Sequence, residues 1–368
     1  MTTGQAGKAD RRAKVAAACR EQGVAALLVT PGSDLTYLAG YRIFGSERLT
    51  CLVLAADGSS TLLVPGLEAP RAALAAPDLE LSVWRETEDP FAMVQGLVRQ
   101  PGDIAVADQM WAAFVLRLQE MLPGRRFLPA SGITRALRSR KDATELAALR
   151  AVSSAADRAY PRILGAEFAG RRERDIGADL AEALREEGHD EVTFTIVASG
   201  PNGASPHHET GDRRIAEGDV VVMDFGGVRN GYCSDITRTV HVGARIDPEV
   251  QRVHDVVLHA QEAAYAAAGA GAPAERIDAA ARAVIADAGY GDRFIHRTGH
   301  GIGLDGHEHP YLVAGNTEPL EPGMAFSIEP GIYLAGRFGV RIEDIAILDD
   351  AGVCEPLNNA DRRLAVVR

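Results

Sequence analysis

Apolar positions along the chain follow two rhythms. Up to about residue 130, short apolar runs alternate with longer amphipathic ones. ADRRAKVAAACREQG (9–23) predicts a helix and VAALLVT (24–30) a buried strand. LTCLVLA (49–55) and STLLVPG (60–66) predict paired strands around the turn DGSS. Helices are expected over 67–76, 90–100 and 111–122, with the buried strand IAVAD at 104–108. This pattern describes an α/β domain that ends near Pro129.

Beyond it the basic stretch 135–141 is expected to be a linker. Asp142, with Glu145 three residues on, is a capping-box pattern opening a long helix. Further helices are predicted over 171–188, 247–269 and 273–289. Strands are predicted over 191–200, 219–227, 232–242, 324–334 and 339–348. Helices and hairpins mix, so this second domain reads as α+β. The expected domains are 1–134 and 135–368.

Strand parity draws attention to acids. Side chains two apart share a face. In VVVMDFGG, Asp224 falls in phase with Val220 and Val222. Glu343 shares its parity with Ile345, Ile347 and Arg341, and Glu329 with Ala325 and Ser327. A carboxylate in phase with a buried stripe must be neutralised. An arginine could do this, and Arg238 and Arg341 are available. The acids nevertheless come as a set, with the histidine-rich segment HRTGHGIGLDGHEHP (296–310) between them. They also repeat. Gly218 precedes Asp224 by six residues and Gly226 follows by two; Gly323 and Gly331 flank Glu329 in the same way. Each unit is followed by a second acid, Asp235 or Glu343.

The set suggests a metal centre. The carboxylates of Asp224, Asp235, Glu329 and Glu343, with a neutral His300, carry the charge that balances two divalent cations. Two such ions can clamp the attacking oxygen and the developing oxyanion of a hydrolysis. Oxygen-rich ligation with one nitrogen favours Mn²⁺, with Co²⁺ or Zn²⁺ as alternatives.

Composition narrows the function classes. The chain has 368 residues, 46% hydrophobic and 24% charged, enough for two packed domains. Its net charge of −12 argues against nucleic acid as a partner. Its four cysteines form no CxxC pair, so neither a disulfide framework nor a zinc-thiolate site is expected. No stretch resembles a signal peptide or a membrane span, and the expected location is the cytoplasm.

The strings PHH (206–208), MDFGG and GYCSDITRT (223–239), TGHGIGLDGHE (298–308), SIEPGIY (327–333) and VRIED (340–344) resemble the metallopeptidases of the pita-bread fold. Among these they look most like Xaa-Pro dipeptidases (prolidases) and Xaa-Pro aminopeptidases. The resemblance covers the chain from about Arg140 onward; the first domain is more loosely similar to the creatinase-type N-terminal domain. It implies that Asp224 chelates one metal, that Asp235 and Glu343 bridge both, and that His300 and Glu329 hold the other. Glu329 would also accept the proton of the attacking water. His207, His296 and His307 match substrate-side histidines, and Arg341 would organise the network or bind a carboxylate. His208, His254, His259 and His309 are expected to be structural or surface residues. A small peptide substrate and a homodimer are further implications.

One departure bears on substrate length. Several prolidases place an arginine after the HExP segment, where it binds a dipeptide carboxylate; here Tyr311 follows HEHP. An Xaa-Pro dipeptidase is the leading expectation. An Xaa-Pro aminopeptidase acting on longer peptides, a hydrolase of modified amino acids or cyclic amides, and a non-catalytic binding homologue are the rivals.

Overall fold

Strand β1 (Val24–Val29) is buried at every position, as its unbroken apolar run requires. It is the second element of a computed structural model that describes residues 3–368 and divides into two units between Arg138 and Ser139. Around β1 the first unit places α1 (Thr3–Glu21), α2 (Ser33–Ala39), β2 (Cys51–Ala55), β3 (Ser60–Pro65), α3 (Ala69–Ala75), β4 (Glu80–Trp84), α4 (Pro90–Leu97), β5 (Asp103–Val106), α5 (Ala112–Met121) and β6 (Phe127–Pro129). One mixed sheet has the order β4-β3-β2-β1-β5-β6. The expected β2–β3 hairpin is present, pairing Leu52 with Leu62. Strands β4 and β6 were not expected. Both lie at sheet edges and are half exposed, which weakens the apolar signature. The stretch 135–141, expected as a linker, largely completes helix α6 (Ser131–Ser139).

The second unit contains α7 (Ala143–Leu164), α8 (Glu173–Glu186), β7 (Glu191–Ser199), β8 (Val220–Arg229), β9 (Tyr232–Cys233), β10 (Ile236–Val242), α9 (Pro248–Ala267) and α10 (Ala274–Asp287). There follow β11 (Gly299–Gly301), β12 (Glu308–Leu312), β13 (Ala325–Ile328), β14 (Gly331–Leu334), β15 (Phe338–Arg341), β16 (Asp344–Leu348), β17 (Cys354–Pro356) and β18 (Ala365–Val367). The capping box that opens α7 is complete: Asp142 accepts from the Thr144 and Glu145 amides, and Glu145 accepts from the Asp142 amide. No helix among the described residues is long and apolar enough to cross a membrane.

Two half-structures carry this unit. In one, β18-β10-β8-β7 form a sheet backed by α7 and α8. In the other, β12-β11-β13-β16-β17 form a sheet backed by α9 and α10. Parity sorts their faces. Val221, Met223 and Phe225 of β8 pack with Leu180 and Leu184 of α8, so Asp224 lies on the opposite face. Phe326 and Ile328 pack with Val253 and Ile277 of the other helix pair, so Glu329 has the parity of the face away from those helices. An isolated bridge between Thr237 and Glu343 joins the halves.

The repeated glycines have separate physical reasons. Gly218 and Gly323 adopt φ of 88° and 85° at the turns that start β8 and β13, a region L-residues disfavour. A Cβ at Gly226 would lie 2.1 Å from the Ser234 carbonyl oxygen.

The expected strands 324–334 and 339–348 are each broken. β13 pairs with β16, whereas β14 pairs with β15 in a separate two-stranded ribbon. The chain changes sheet at Glu329–Pro330 in one run and at Ile342–Glu343 in the other. Asp235 lies in the gap between β9 and β10, which both pair with β8 within one sheet. Three of the four acids therefore occupy junctions, where a side chain is released from the regular alternation of a strand.

Candidate metal centre

The junctions bring the acids together. Asp224, Asp235, His300, Glu329, Glu343 and Arg341 line one cavity of about 710 Å³ with His207, His296 and His307. Every site residue expected from the sequence borders it. Donor atoms of Asp224, Asp235 and Glu343 lie within 4.8 Å of one another, as do those of His300, Glu329 and Glu343. A third group joins Asp235, His300 and His307. Glu343 thus belongs to two triplets, which suits a bridging carboxylate.

Each side chain is held by a traceable contact. The Glu343 amide donates to the Thr237 carbonyl at 3.1 Å, and Thr237 Oγ1 donates to Glu343 Oε2 at 2.7 Å. The Glu329 amide donates to the Thr298 carbonyl, and Ser327 Oγ donates to Glu329 Oε1 at 3.1 Å. The same Ser327 hydroxyl accepts from the His300 amide at 3.0 Å. His300 Nδ1 lies 3.1 Å from the Gly301 carbonyl oxygen, and Nε2 lies 3.3 Å from Glu329. Without a metal, Nε2 carries a proton toward Glu329; with Nδ1–H donating to the Gly301 carbonyl, loss of that proton would give Nε2 the lone pair a metal ligand needs.

Arg341 is buried and spans the site. Its Nη2 donates to Asp224 Oδ2 at 2.7 Å, Nη1 to the Tyr333 hydroxyl at 3.0 Å and Nε to Thr237 Oγ1 at 3.1 Å. It therefore offsets one of the four carboxylate charges, a term the sequence-level balance omitted. Arg238, the other candidate partner, pairs instead with Asp344 at 2.6 Å.

The remaining charge is not neutralised by protein. Oδ1 of Asp224 and Oε1 of Glu343 are buried and have no hydrogen-bond partner. Burial, then the Asp224 and Glu329 charges, pushes Asp235 well above its ordinary value of 3.8. Burial and the neighbouring acids push Glu343 well above 4.5 in the same way. Burial also acts upward on Glu329, but the His300 hydrogen bond and the charges of His300, His296 and Arg341 outweigh it and bring it down to about 2. Orphaned carboxylate oxygens in a buried acid cluster fit divalent cations.

The histidines differ among themselves. The His307 ring, exposed at the cavity, lies tilted against His300 with centroids 3.8 Å apart; desolvation, then the His300 and Arg297 charges, brings it down to about 4. His296 Nε2 meets the Tyr333 hydroxyl at 2.8 Å, and burial lowers its pKa. His207 is exposed at the cavity. His208 instead meets Glu173 at 2.9 Å, His254 is buried, and His259 is exposed. The His309 ring lies tilted against Tyr311, with centroids 4.5 Å apart.

Sequence reading missed Thr237, Tyr333, Arg297 and Glu173. Thr237 lies two residues beyond Asp235, and parity offered a faint signal for it. Tyr333 stands in SIEPGIY and Arg297 in the histidine-rich segment 296–310, but neither string indicates which group each side chain would meet. Glu173 gave no signal. It is fully buried, and its carboxylate accepts from the Ser199 amide and hydroxyl, both at 2.7 Å, and from Asn202.

Comparison with known proteins decides the family. Residues 147–350 match the metallopeptidase family M24, and residues 11–140 match the creatinase/prolidase N-terminal domain. The chain belongs to the M24 metallopeptidases. It is 48% identical over 366 residues to a probable dipeptidase PepE of Mycobacterium tuberculosis, covering 98% of this chain and 96% of that one. The crystal structure of dipeptidase PepE from Mycobacterium ulcerans superposes with a TM-score of 0.94 at 45% identity, covering 99% and 98%. A recombinant prolidase from Thermococcus sibiricus gives 0.92 at 39% identity, covering 97% and 98%. The expected pita-bread fold with its creatinase-like N-terminal domain is borne out, as is the assignment to metallopeptidases. M24 membership implies divalent metal, and the acid–histidine groups described above could hold it.

Proposed function

We propose that this M24 metallopeptidase hydrolyses Xaa-Pro dipeptides. The observation that carries the reading is the convergence of four carboxylates and His300 in one cavity, with two carboxylate oxygens left unpartnered. Asp224, Asp235 and Glu343 would hold one divalent ion, and His300, Glu329, Asp235 and Glu343 the other. When bound, such ions polarise a carbonyl and lower the pKa of water. Oxygen-rich ligation supports Mn²⁺ over softer ions, with Co²⁺ or Zn²⁺ as substitutes.

The protein groups have complementary tasks. Glu329, at the cavity wall, takes the proton released by the attacking water. His307 donates a hydrogen bond to the substrate carbonyl, while His296, engaged through Nδ1 with the Arg297 carbonyl and through Nε2 with the Tyr333 hydroxyl, shapes the substrate side of the cavity. His207 contacts the proline side, beside the apolar Phe194, Ile196 and Pro206. Arg341 holds Asp224 and Tyr333 in register. An Xaa-Pro bond has no N–H, so a site that grips the carbonyl suits it. The names of the similar dipeptidase and prolidase structures support the same substrate class. We propose a homodimer as the assembly, on the same resemblance. Four cysteines spread over the chain with no CxxC pair support a reducing cytoplasmic location.

The test is a panel of Xaa-Pro dipeptides, Xaa-Pro-Yaa tripeptides and a non-proline dipeptide, assayed with Mn²⁺, Co²⁺ and Zn²⁺. Preferred cleavage of Xaa-Pro dipeptides is expected. Preferred cleavage of tripeptides would make the protein an Xaa-Pro aminopeptidase, and equal hydrolysis of the non-proline control would remove proline selectivity.

A further inference from the structure

Arg297 lines the cavity that holds the acid cluster. Its guanidinium carbon lies over the Tyr311 ring, 4.3 Å from the centroid, a cation–π contact that restrains the guanidinium. Its Nη2 donates to His307 Nδ1 at 3.3 Å. A guanidinium has five N–H donors. Among the described residues no carboxylate pairs with Arg297, although acids abound in this cavity. Other arginines bordering the acids are committed: Arg341 to Asp224 and Arg238 to Asp344. Arg297 is thus an oriented, half-buried cation with donors to spare, facing the space where substrate binds.

The contact with His307 fixes what that cation can reach. Resting on the reading above, His307 touches the scissile carbonyl. In an Xaa-Pro dipeptide the terminal carboxylate carbon is three bonds from that carbonyl carbon, on the order of 3–4 Å. A fork hydrogen-bonded to His307 is within reach of that anion, and a planar fork matches a carboxylate in two parallel hydrogen bonds. The acids nearby would repel the same carboxylate, so a compensating cation is needed. Tyr311 supplies the platform for the cation and is not itself the binding group.

We propose that Arg297, lying over Tyr311, binds the free C-terminal carboxylate of the substrate and thereby selects dipeptides over longer or amidated peptides. It determines specificity and does not enter the bond-breaking step. By donating to His307 Nδ1 it also places the His307 proton on Nε2.

Alanyl-proline and its C-terminal amide, compared on the Mn²⁺-loaded full-length protein, test this. For the wild type, kcat/KM is expected to favour the free acid by roughly 10- to 100-fold, the strength of a charge-assisted hydrogen bond. In Arg297→Met the ratio should fall toward one, chiefly through a higher KM for the acid. In Arg297→Lys, which keeps the charge without the fork, the ratio should lie between. Equal losses on acid and amide in Arg297→Met would overturn the proposal and leave Arg297 a support for His307 alone. Calorimetric binding of the same two compounds separates this question from the reaction. Tighter binding of the acid that depends on Arg297, without turnover, would sustain the carboxylate site and reject the peptidase reading. Equal binding of acid and amide by the wild type would reject the carboxylate site.

Discussion

Among the described residues of the first unit, the charged side chain that is buried is Arg12, which reaches Asp78 and the Leu38 carbonyl. The second unit buries Lys141, Glu145, Glu173, Asp235, Arg238, Asp278, Arg341, Glu343 and Asp344. Hydrophobic burial alone accounts for the first interior: β1, β2 and β3 run through it as apolar strands packed against α4 and α5. The second tolerates ions by three distinct means. Arg238 and Asp344 neutralise each other. Glu173 is solvated by protein donors and held below the ordinary carboxylate range, its hydrogen bonds outweighing the burial that acts the other way. The acids of the metal centre have only partial compensation. Stability explains the first two arrangements; the third is stable only as part of a functional site.

The largest effect expected is at that third arrangement. Asp235→Asn should lower kcat/KM by roughly 10³-fold or more, about 4 kcal/mol of lost transition-state stabilisation, with loss of bound metal by elemental analysis. The same change should raise the melting temperature of metal-stripped protein, because it removes a buried like charge. A linked pH dependence follows. Asp235 and Glu343 bind protons more tightly when folded than when unfolded. The stability they contribute is complete below about pH 4 and falls as pH rises through their raised folded values. Metal-stripped protein should therefore melt at a lower temperature at pH 8 than at pH 5, and Mn²⁺ should reverse the order. If the stripped wild type and Asp235→Asn show the same pH profile, the acid cluster is not under electrostatic strain and the contrast between the units disappears.

A neutralised pair should behave differently. Asp344→Ala leaves the buried Arg238 without its carboxylate at 2.6 Å and should lower stability by about 3–5 kcal/mol in urea denaturation, with or without metal. In the first unit Leu27→Ala, at a fully buried β1 position, should lower stability by about 2–5 kcal/mol, without a pH dependence of its own. The smallest effect is expected at His254, which burial brings down to about 4. Its contribution is present above pH 6.5 and is lost as pH falls toward 4, so His254→Leu should flatten only the acid limb of the melting profile.

Legibility in the sequence followed the same division. The apolar strands of the first unit were readable because burial on both faces leaves a continuous hydrophobic run. Edge strands β4 and β6 were not, because half-exposed positions carry no such constraint. In the second unit parity put Asp224 in phase with Val220 and Val222, but it did not show that this face is the one turned away from α8. For Glu329 and Glu343 it indicated the right face, but it could not show that each acid stands where the chain leaves one sheet for another. Arg341 was readable as a partner for the acids, whereas Arg238, equally available by sequence, turned to Asp344. Glu173 was invisible because its partners, Ser199 at the end of β7, Asn202 in the turn after it and His208 beyond, are brought to it by a path no local pattern encodes.

What the sequence determined by itself is therefore the chemistry and the periodicity. It determined which residues carry charge, which strand faces are apolar, where the turns need glycine, and that the acids come as matched pairs. Those properties are local, set by neighbours two to six residues away. Only the tertiary structure decided which charges meet: Arg341 with Asp224, Arg238 with Asp344, Thr237 with Glu343, and Arg297 with His307 and Tyr311. Most of these partners are many residues apart in the chain. Electrostatic energy depends on separations of a few ångströms and on exclusion of water, and folding alone sets both.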